Sequence, residues 1–134
     1  GEELPIYGDG LQIREWIYVV DHCEGIYRAA LFGSPGQNYC FGGELEIQNI
    51  SLVEKICHIL EEVHPKKRGG SYIEQIKFVE DRPGHDFRYA IDDTKAKQEL
   101  GYFPQTKFDF ALRQTVAYYL DKYSNNAGHF EISQ

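Results

Sequence analysis

An amphipathic segment that ends at Pro65 constrains the fold of this chain more than any other feature. Its apolar residues recur at intervals of three and four, which is the period of a helix with one buried face. Ser51 and Glu54 match a capping box at the helix start, and Pro65 is expected to end the helix because proline lacks an amide hydrogen. The apolar face consists of Leu52, Val53, Ile56, Cys57, Leu60 and Val63.

Length and composition are those of a folded domain. The chain has 134 residues, of which 42% are hydrophobic and 14% aromatic. This length corresponds to one domain or to part of one, and the composition excludes a disordered chain. The formal net charge of −7 argues against nucleic acid as the main partner. An anionic ligand would therefore need a local cationic pocket.

The sequence also indicates a compartment. No apolar run approaches the ~20 residues that span a bilayer, and the chain opens with the acidic GEELP rather than with a signal peptide. Cys23, Cys40 and Cys57 are odd in number and lie in apolar runs, which is typical of reduced core thiols. We expect a cytoplasmic protein without a membrane partner.

The remaining pattern predicts short strands that alternate with helices. We expect strands at residues 15–20, 38–41, 75–79 and 88–91. A helix capped by Asp21 should end at Gly33, and one capped by Asp92 or Asp93 should end at Gly101. Thr106 with Asp109 is expected to cap the last helix, whose buried side comprises Phe108, Leu112, Val116, Tyr119 and Leu120. The pattern is α/β with too few strands for a complete doubly wound sheet.

Several candidate motifs fail on context. Gly8 and Gly10 begin a G-x-G pattern, but a strand follows where a dinucleotide-binding loop needs a helix. Tyr118 and Lys122 match Y-x-x-x-K, yet they fall on the last amphipathic helix without an upstream cofactor motif. The histidines near Pro65 lack a third ligand at zinc spacing. The residues offer no complete catalytic centre and no metal site.

A Pro-Gly turn carries an unusual cluster of cationic or cationisable side chains for an acidic chain: Arg82, His85 and Arg88. Guanidinium groups bind phosphate oxygens bidentately, and Gly84 permits close approach of a ligand. Arg14, on a neighbouring predicted strand, adds a further cation. Asp81 and Asp86 are adjacent, so an ion-pair cluster and a phosphate site remain equally open interpretations.

At these residues the sequence resembles a known family. The stretches LPIYGDGLQIREWIYVVDHCEGIYRAAL and EDRPGHDFRYAIDDTKAKQELGYFPQTKFDFALRQTVAYYL are similar to the C-terminal portion of dTDP-glucose 4,6-dehydratases, members of the extended short-chain dehydrogenase/reductase superfamily. The resemblance covers about residues 4–123. It implies a partial α/β fold of about four helices, in which residues 1–123 bind the nucleotide sugar and residues 124–134 form a flexible tail. The Rossmann half, which binds NAD and carries the proton-transfer groups, would lie upstream.

The resemblance also assigns site residues. Pro5, Ile6 and Tyr7 match the segment that lines the nucleotide, and Arg14 and Asn49 match contacts to the diphosphate. The matches to the substrate-contacting DRPGH motif are Asp81, Arg82, Pro83, Gly84 and His85.

The chain departs from the family at YCFGG and GGELE, where Cys40, Phe41 and Leu45 replace the usual residues. The base preference therefore stays open, with UDP- or CDP-sugars as alternatives to dTDP-glucose.

Three hypotheses follow from this resemblance. As a fragment of a homodimeric dehydratase lyase, the chain should be inactive alone and bind no NAD. It should also self-associate through apolar surface at residues 16–43, which the family covers with the Rossmann half. Alternatively, it is a stand-alone nucleotide-sugar-binding module. A third interpretation is the equivalent domain of another epimerase, dehydratase or decarboxylase.

Overall fold

The computed structural model describes residues 2–126. Its four α-helices are α1 (Val19–Phe32), α2 (Asn49–Val63), α3 (Thr94–Leu100) and α4 (Phe108–Asn126). Its four strands are β1 (Leu4–Tyr7), β2 (Ile13–Glu15), β3 (Glu46–Gln48) and β4 (Ile76–Val79), the last preceded by a 3₁₀ turn at Ile73–Gln75. The predicted α/β class with short strands and about four helices is confirmed.

Two separate two-stranded sheets organise the chain. β1 pairs with β4 in parallel, from Leu4 opposite Ile76 to Tyr7 opposite Val79. The Gly8 amide donates to the Val79 carbonyl at 3.0 Å and so continues the ladder. Because the strands are parallel, the chain leaves both of them at the same edge. β2 pairs antiparallel with β3.

The buried hydrophobic residues fall into two groups. Around α3, the buried residues Ala96, Leu100 and Tyr102 form a cluster against which Ala29 of α1 and Phe41 pack. The Tyr102 hydroxyl donates to the Gly42 carbonyl at 2.8 Å, so this buried polar group is satisfied. Around α2, the other buried group comprises Ile6, Leu52, Cys57, Ile59, Ala111 and Val116.

Two predicted helix starts are wrong. α1 begins at Val19 after the N-cap Tyr18, so most of the strand predicted at residues 15–20 is absent and Asp21 lies inside the first turn. The buried Asp21 carboxylate instead accepts the amides of Gln105 (3.0 Å) and Thr106 (3.2 Å), from the loop before α4. α2 begins at Asn49, before the expected capping box, although Pro65 follows its end as predicted.

Other local predictions had mixed outcomes. Residues 38–41 form no strand, and residues 88–91 contribute only one bridge, between Ile13 and Arg88. Asp93 precedes α3 and Gly101 ends it in a left-handed conformation (φ 61°), as predicted. α4 begins at Phe108, two residues after the expected cap Thr106. The side chains of Val63 and Tyr119, placed on buried faces, are exposed.

The thiols and the tail also differ from expectation. Cys23 and Cys40 are exposed, and only Cys57 is a core thiol. Burial raises the pKa of the Cys57 thiol. α4 runs into the predicted tail as far as Asn126, and the rest of that tail lies outside the described residues. Within residues 2–126, no helix is both long enough and apolar enough to cross a membrane.

The Tyr102 hydroxyl provides a test of the core. Tyr102→Phe should lower the free energy of unfolding by about 1–2 kcal/mol, because it leaves the Gly42 carbonyl without its buried donor. Urea denaturation measures this change. Tyr27→Phe, at a residue that is 60% exposed, is the matched control and should have no measurable effect. Equal stability of Tyr102→Phe and the unmodified protein would contradict this account of the core.

Candidate functional site

A cavity of about 340 Å³ lies where β1 and the segment after β4 meet α2. It is lined by Pro5, Ile6, Tyr7, Trp16, Asn49, Leu52, Val53, Arg82 and His85. Six of the ten residues expected to contact substrate are therefore brought together by the fold. The other four, which do not line the cavity, are Arg14, Asp81, Pro83 and Gly84.

The turn after β4 has the geometry that its sequence predicts. The His85 amide donates to the Arg82 carbonyl at 3.2 Å, which closes a four-residue turn around Pro83 and Gly84. Gly84 has a φ of +71°. A type II turn favours proline at its second position and requires positive φ at its third. The turn is therefore rigid, and it fixes the backbone from which the side chains of Arg82 and His85 extend.

The carboxylate of Asp81 anchors this turn through hydrogen bonds to two of its residues. Its Oδ1 accepts the Arg82 amide at 2.9 Å and contacts Nδ1 of His85 at 2.7 Å. Its Oδ2 accepts the side-chain amide of Gln12 at 3.1 Å. The bond from His85 is the main cause that lowers the pKa of the Asp81 carboxyl. The His85 side chain is only 5% exposed, so its ring is held in place while it lines the cavity.

Arg82 is the cationic side chain of the cavity. Its guanidinium lies 5.6 Å from the centroid of the Tyr7 ring, within the range of a cation–π contact. In the part of the chain that the structure describes, no carboxylate forms an ion pair with it. Its donors therefore remain available to an anion.

Arg14 and Arg88 have other partners. The Arg14 guanidinium donates to the carbonyls of Ile13 (2.6 Å) and Asp86 (2.8 Å) and lies 4.6 Å from the ring centroid of Tyr89. It thus holds the segment after the turn against β2, and its expected contact with a diphosphate stays a prediction.

Arg88 makes a bidentate pair with Glu46, at 2.5 and 2.7 Å, and this bond lowers the pKa of Glu46. The ion-pair interpretation thus holds for Arg88, with Glu46 rather than Asp81 or Asp86 as its partner, and the contact of His85 with Asp81 also has ion-pair geometry.

The apolar wall of the cavity was not predicted as part of the site. Trp16, Leu52 and Val53 line it. The sequence placed Leu52 and Val53 on the apolar face of α2, but a period of 3.6 cannot distinguish a core contact from a cavity wall. Asn49, the first residue of α2, also lines the cavity, and its backbone amide donates to the backbone carbonyl of Gln12 at 3.0 Å.

The rejected motifs have structural roles. Gly8 (φ +60°) and Gly10 (φ +73°) form a turn that leads into β2. A side chain at Gly8 would meet Asp81, and one at Gly10 would meet Ile6, so neither glycine forms an open cradle for a pyrophosphate. Tyr118 is 61% exposed on α4, and residues 2–126 contain no cluster able to hold a metal ion.

Comparison with known proteins defines the class and then the family. The fold matches the C-terminal portion of extended short-chain dehydrogenase/reductase structures. One of these is DesIV, a dTDP-glucose 4,6-dehydratase from Streptomyces venezuelae solved with NAD and TYD bound. That match has 38% identity and a TM-score of 0.79 and covers 98% of this chain and 37% of DesIV. The family model for GDP-mannose 4,6 dehydratase matches residues 1–115, so the chain belongs to that family.

Curated relatives are similar at higher identity. The dTDP-glucose 4,6-dehydratase of Neisseria meningitidis serogroup B is 47% identical over 123 residues, which is 90% of this chain and 35% of the relative. That of Shigella flexneri is 50% identical over 120 residues, or 90% of this chain and 33% of the relative. The chain thus spans about a third of the length of these relatives.

The Asp81 anchor predicts a dependence of stability on pH. The carboxyl has an ordinary pKa of 3.8 that is lowered in the folded protein. Its stabilising effect should therefore be complete above pH 3.8 and disappear as the pH falls through the lower, folded value. The difference in unfolding free energy between the unmodified protein and Asp81→Asn should shrink over that range in urea titrations. Glu54→Gln, at an exposed carboxylate that forms no ion pair within residues 2–126, is the control. A difference that is constant with pH would argue against the anchor.

Proposed function

We propose that this chain is the nucleotide-sugar-binding part of a dTDP-glucose 4,6-dehydratase and that the cavity holds the nucleotide diphosphate. The observation that carries the proposal is the position of Arg82, a cation without a carboxylate partner among the described residues, beside His85 and Asn49 in a protein of net charge −7. An unpaired arginine in a cavity is suited to an anionic ligand, and a diphosphate provides the oxygens that a guanidinium binds. The names of the curated relatives support the choice of sugar nucleotide.

The cavity combines the features that this ligand needs. The guanidinium of Arg82 can form two parallel hydrogen bonds to phosphate oxygens, and it lies over the ring of Tyr7. With Nδ1–H donated to Asp81, Nε2 of the neutral His85 ring is an acceptor suited to a hydroxyl of the nucleotide sugar, and only the doubly protonated ring would donate from Nε2 to phosphate. Tyr7, Trp16 and Leu52 provide an apolar surface suited to a base or a sugar ring.

The whole enzyme would oxidise C4 of the hexose with NAD, eliminate water across C5 and C6 and return the hydride to C6. We assign no step of hydride or proton transfer to this chain, whose part is to bind and orient the nucleotide sugar. We also propose that the protein is cytoplasmic and that the whole enzyme is a homodimer.

Substitution of Arg82 tests the proposed site. The protein should bind dTDP weakly, and Arg82→Ala should weaken binding about tenfold or more, the effect of losing a hydrogen bond to a charged group. Calorimetric titration or NMR shifts measure the affinity. The control is Arg113→Ala, which removes an α4 arginine that pairs with Glu62 of α2. This variant should bind dTDP as tightly as the unmodified protein does.

Two outcomes of that experiment would contradict the proposal. Retained affinity in Arg82→Ala would remove Arg82 from the site. Tighter binding of UDP or CDP than of dTDP would reject the dTDP-sugar assignment in favour of another sugar-nucleotide enzyme. With NAD and dTDP-glucose supplied, the chain alone should show no turnover.

The surface of α1 predicts self-association of the isolated chain. Large apolar side chains are exposed along this helix: Val19, Val20, Ile26, Tyr27, Leu31 and Phe32. Apolar patches of this kind mark contact surfaces, and the proposal assigns this one to the remainder of the enzyme. Light scattering should therefore show a mass that rises with concentration, and Leu31→Glu should reduce the rise. A monomer at all concentrations would contradict this assignment.

A further inference from the structure

Gln12 is a buried polar residue directly behind the proposed site. It lies between β1 and β2, is 5% exposed and does not line the cavity. Its side-chain amide donates to Oδ2 of Asp81 at 3.1 Å, and its backbone carbonyl accepts the backbone amide of Asn49 at 3.0 Å. Gln12 therefore contacts both the anchor of the turn and the first residue of α2.

The surroundings of Gln12 explain why its position is fixed. A Cβ added at Gly8 would lie 2.9 Å from Oδ2 of Asp81 and 3.2 Å from Nε2 of Gln12, so both groups pack directly on the Gly8 backbone. The Gln12 Oε1 is buried and has no hydrogen-bond partner among the described residues. A buried, unpaired carbonyl is costly. An apolar side chain would fill this space without burying an unpaired carbonyl. The hydrogen bond from Nε2 to Asp81 is therefore the reason for an amide side chain at this position.

We infer that Gln12 is a positioning residue for the proposed nucleotide-sugar site: it fixes the carboxylate of Asp81, which in turn orients His85. The two carboxylate oxygens of Asp81 bind different groups. Oδ1 accepts the backbone amide of Arg82 and contacts Nδ1 of His85, and Oδ2 accepts the side-chain amide of Gln12. The χ2 torsion of aspartate is soft, so a carboxylate without the second bond would rotate and release the imidazole. The inference rests on the proposed function only for the identity of the ligand.

The variant Gln12→Met tests this role, because methionine keeps the length of the side chain and removes the donor. In the unmodified protein, nitrogen NMR of ligand-free His85 should show the proton of the neutral ring on Nδ1, where Asp81 accepts it. In Gln12→Met the two tautomers should be mixed, and the affinity for dTDP should fall about fivefold, a typical coupling between contacting residues. The unfolding free energy should be unchanged or higher. Gln105→Met, at an exposed glutamine, should change neither property.

The outcomes separate this inference from the proposed function. An unchanged His85 tautomer in Gln12→Met would overturn the positioning role, whatever the affinity for dTDP. A changed tautomer in a protein that binds no dTDP would support the positioning role while rejecting the proposed function. In an Asp81→Asn background, Gln12→Met should have no additional effect on the tautomer, and an additional effect would overturn the route through Asp81. If Gln12→Met does not fold, Gln12→Leu, which also removes the donor and adds no buried charge, should give the same mixed tautomers.

Discussion

The parallel pairing of β1 with β4 is the constraint on which the proposed site depends. Tyr7 lies opposite Val79 at the carboxyl ends of these strands, so the chain enters the Gly8 turn and the turn after β4 at the same edge. Ligands of α/β proteins bind at such edges. A parallel pair cannot be joined by a tight turn. The crossover between the strands carries α1 and α2, and it supplies the remaining wall of the cavity from α2 and from Trp16 after β2.

Part of the acidic excess has a structural use. The Glu15 carboxylate accepts the amides of Gly43 (2.8 Å), Glu44 (2.9 Å) and Ile91 (2.6 Å) and so ties two loops to β2. Asp21 and Asp81 bind loop amides in the same way. Carboxylates that accept backbone amides satisfy donors that loops would otherwise leave unpaired. These three carboxylates are thus bound to backbone amides, and none of them forms an ion pair with Arg82 in the described part of the chain.

Features determined by local chemistry were predictable from the sequence. The stop of α2 before Pro65 and the end of α3 at Gly101 follow from backbone preferences, as does the turn at Pro83 and Gly84. The three- and four-residue strands β1 and β3 were missed because such short runs carry little periodic signal. Aspartate is a residue type that commonly caps helix starts. Only the tertiary fold shows that the Asp21 carboxylate accepts an amide from the loop before α4.

Tertiary contacts that the sequence does not show also decide the roles of the site residues. Arg82 and Arg88 both flank the Pro-Gly turn, but only Arg88 has a carboxylate partner among the described residues, because Glu46 lies beside it in the fold. Gln12 carried no local signal, since its partner Asp81 is distant along the chain. Resemblance to a family grouped Tyr7, Asn49 and His85 in advance, and pairing of distant segments brings them to one cavity.

Mapping of dTDP by NMR tests the central claim most directly, because the described residues also form a larger apolar groove elsewhere. This larger apolar groove, of about 580 Å³, lies between α2 and α4 and includes Leu60 and Tyr119. Titration of isotope-labelled protein with dTDP should shift the signals of Tyr7, Asn49, Arg82 and His85 and leave those of Leu60 and Tyr119 in place. Shifts confined to the α2–α4 groove, or no shifts at millimolar dTDP, would contradict the assignment of the cavity to the nucleotide diphosphate.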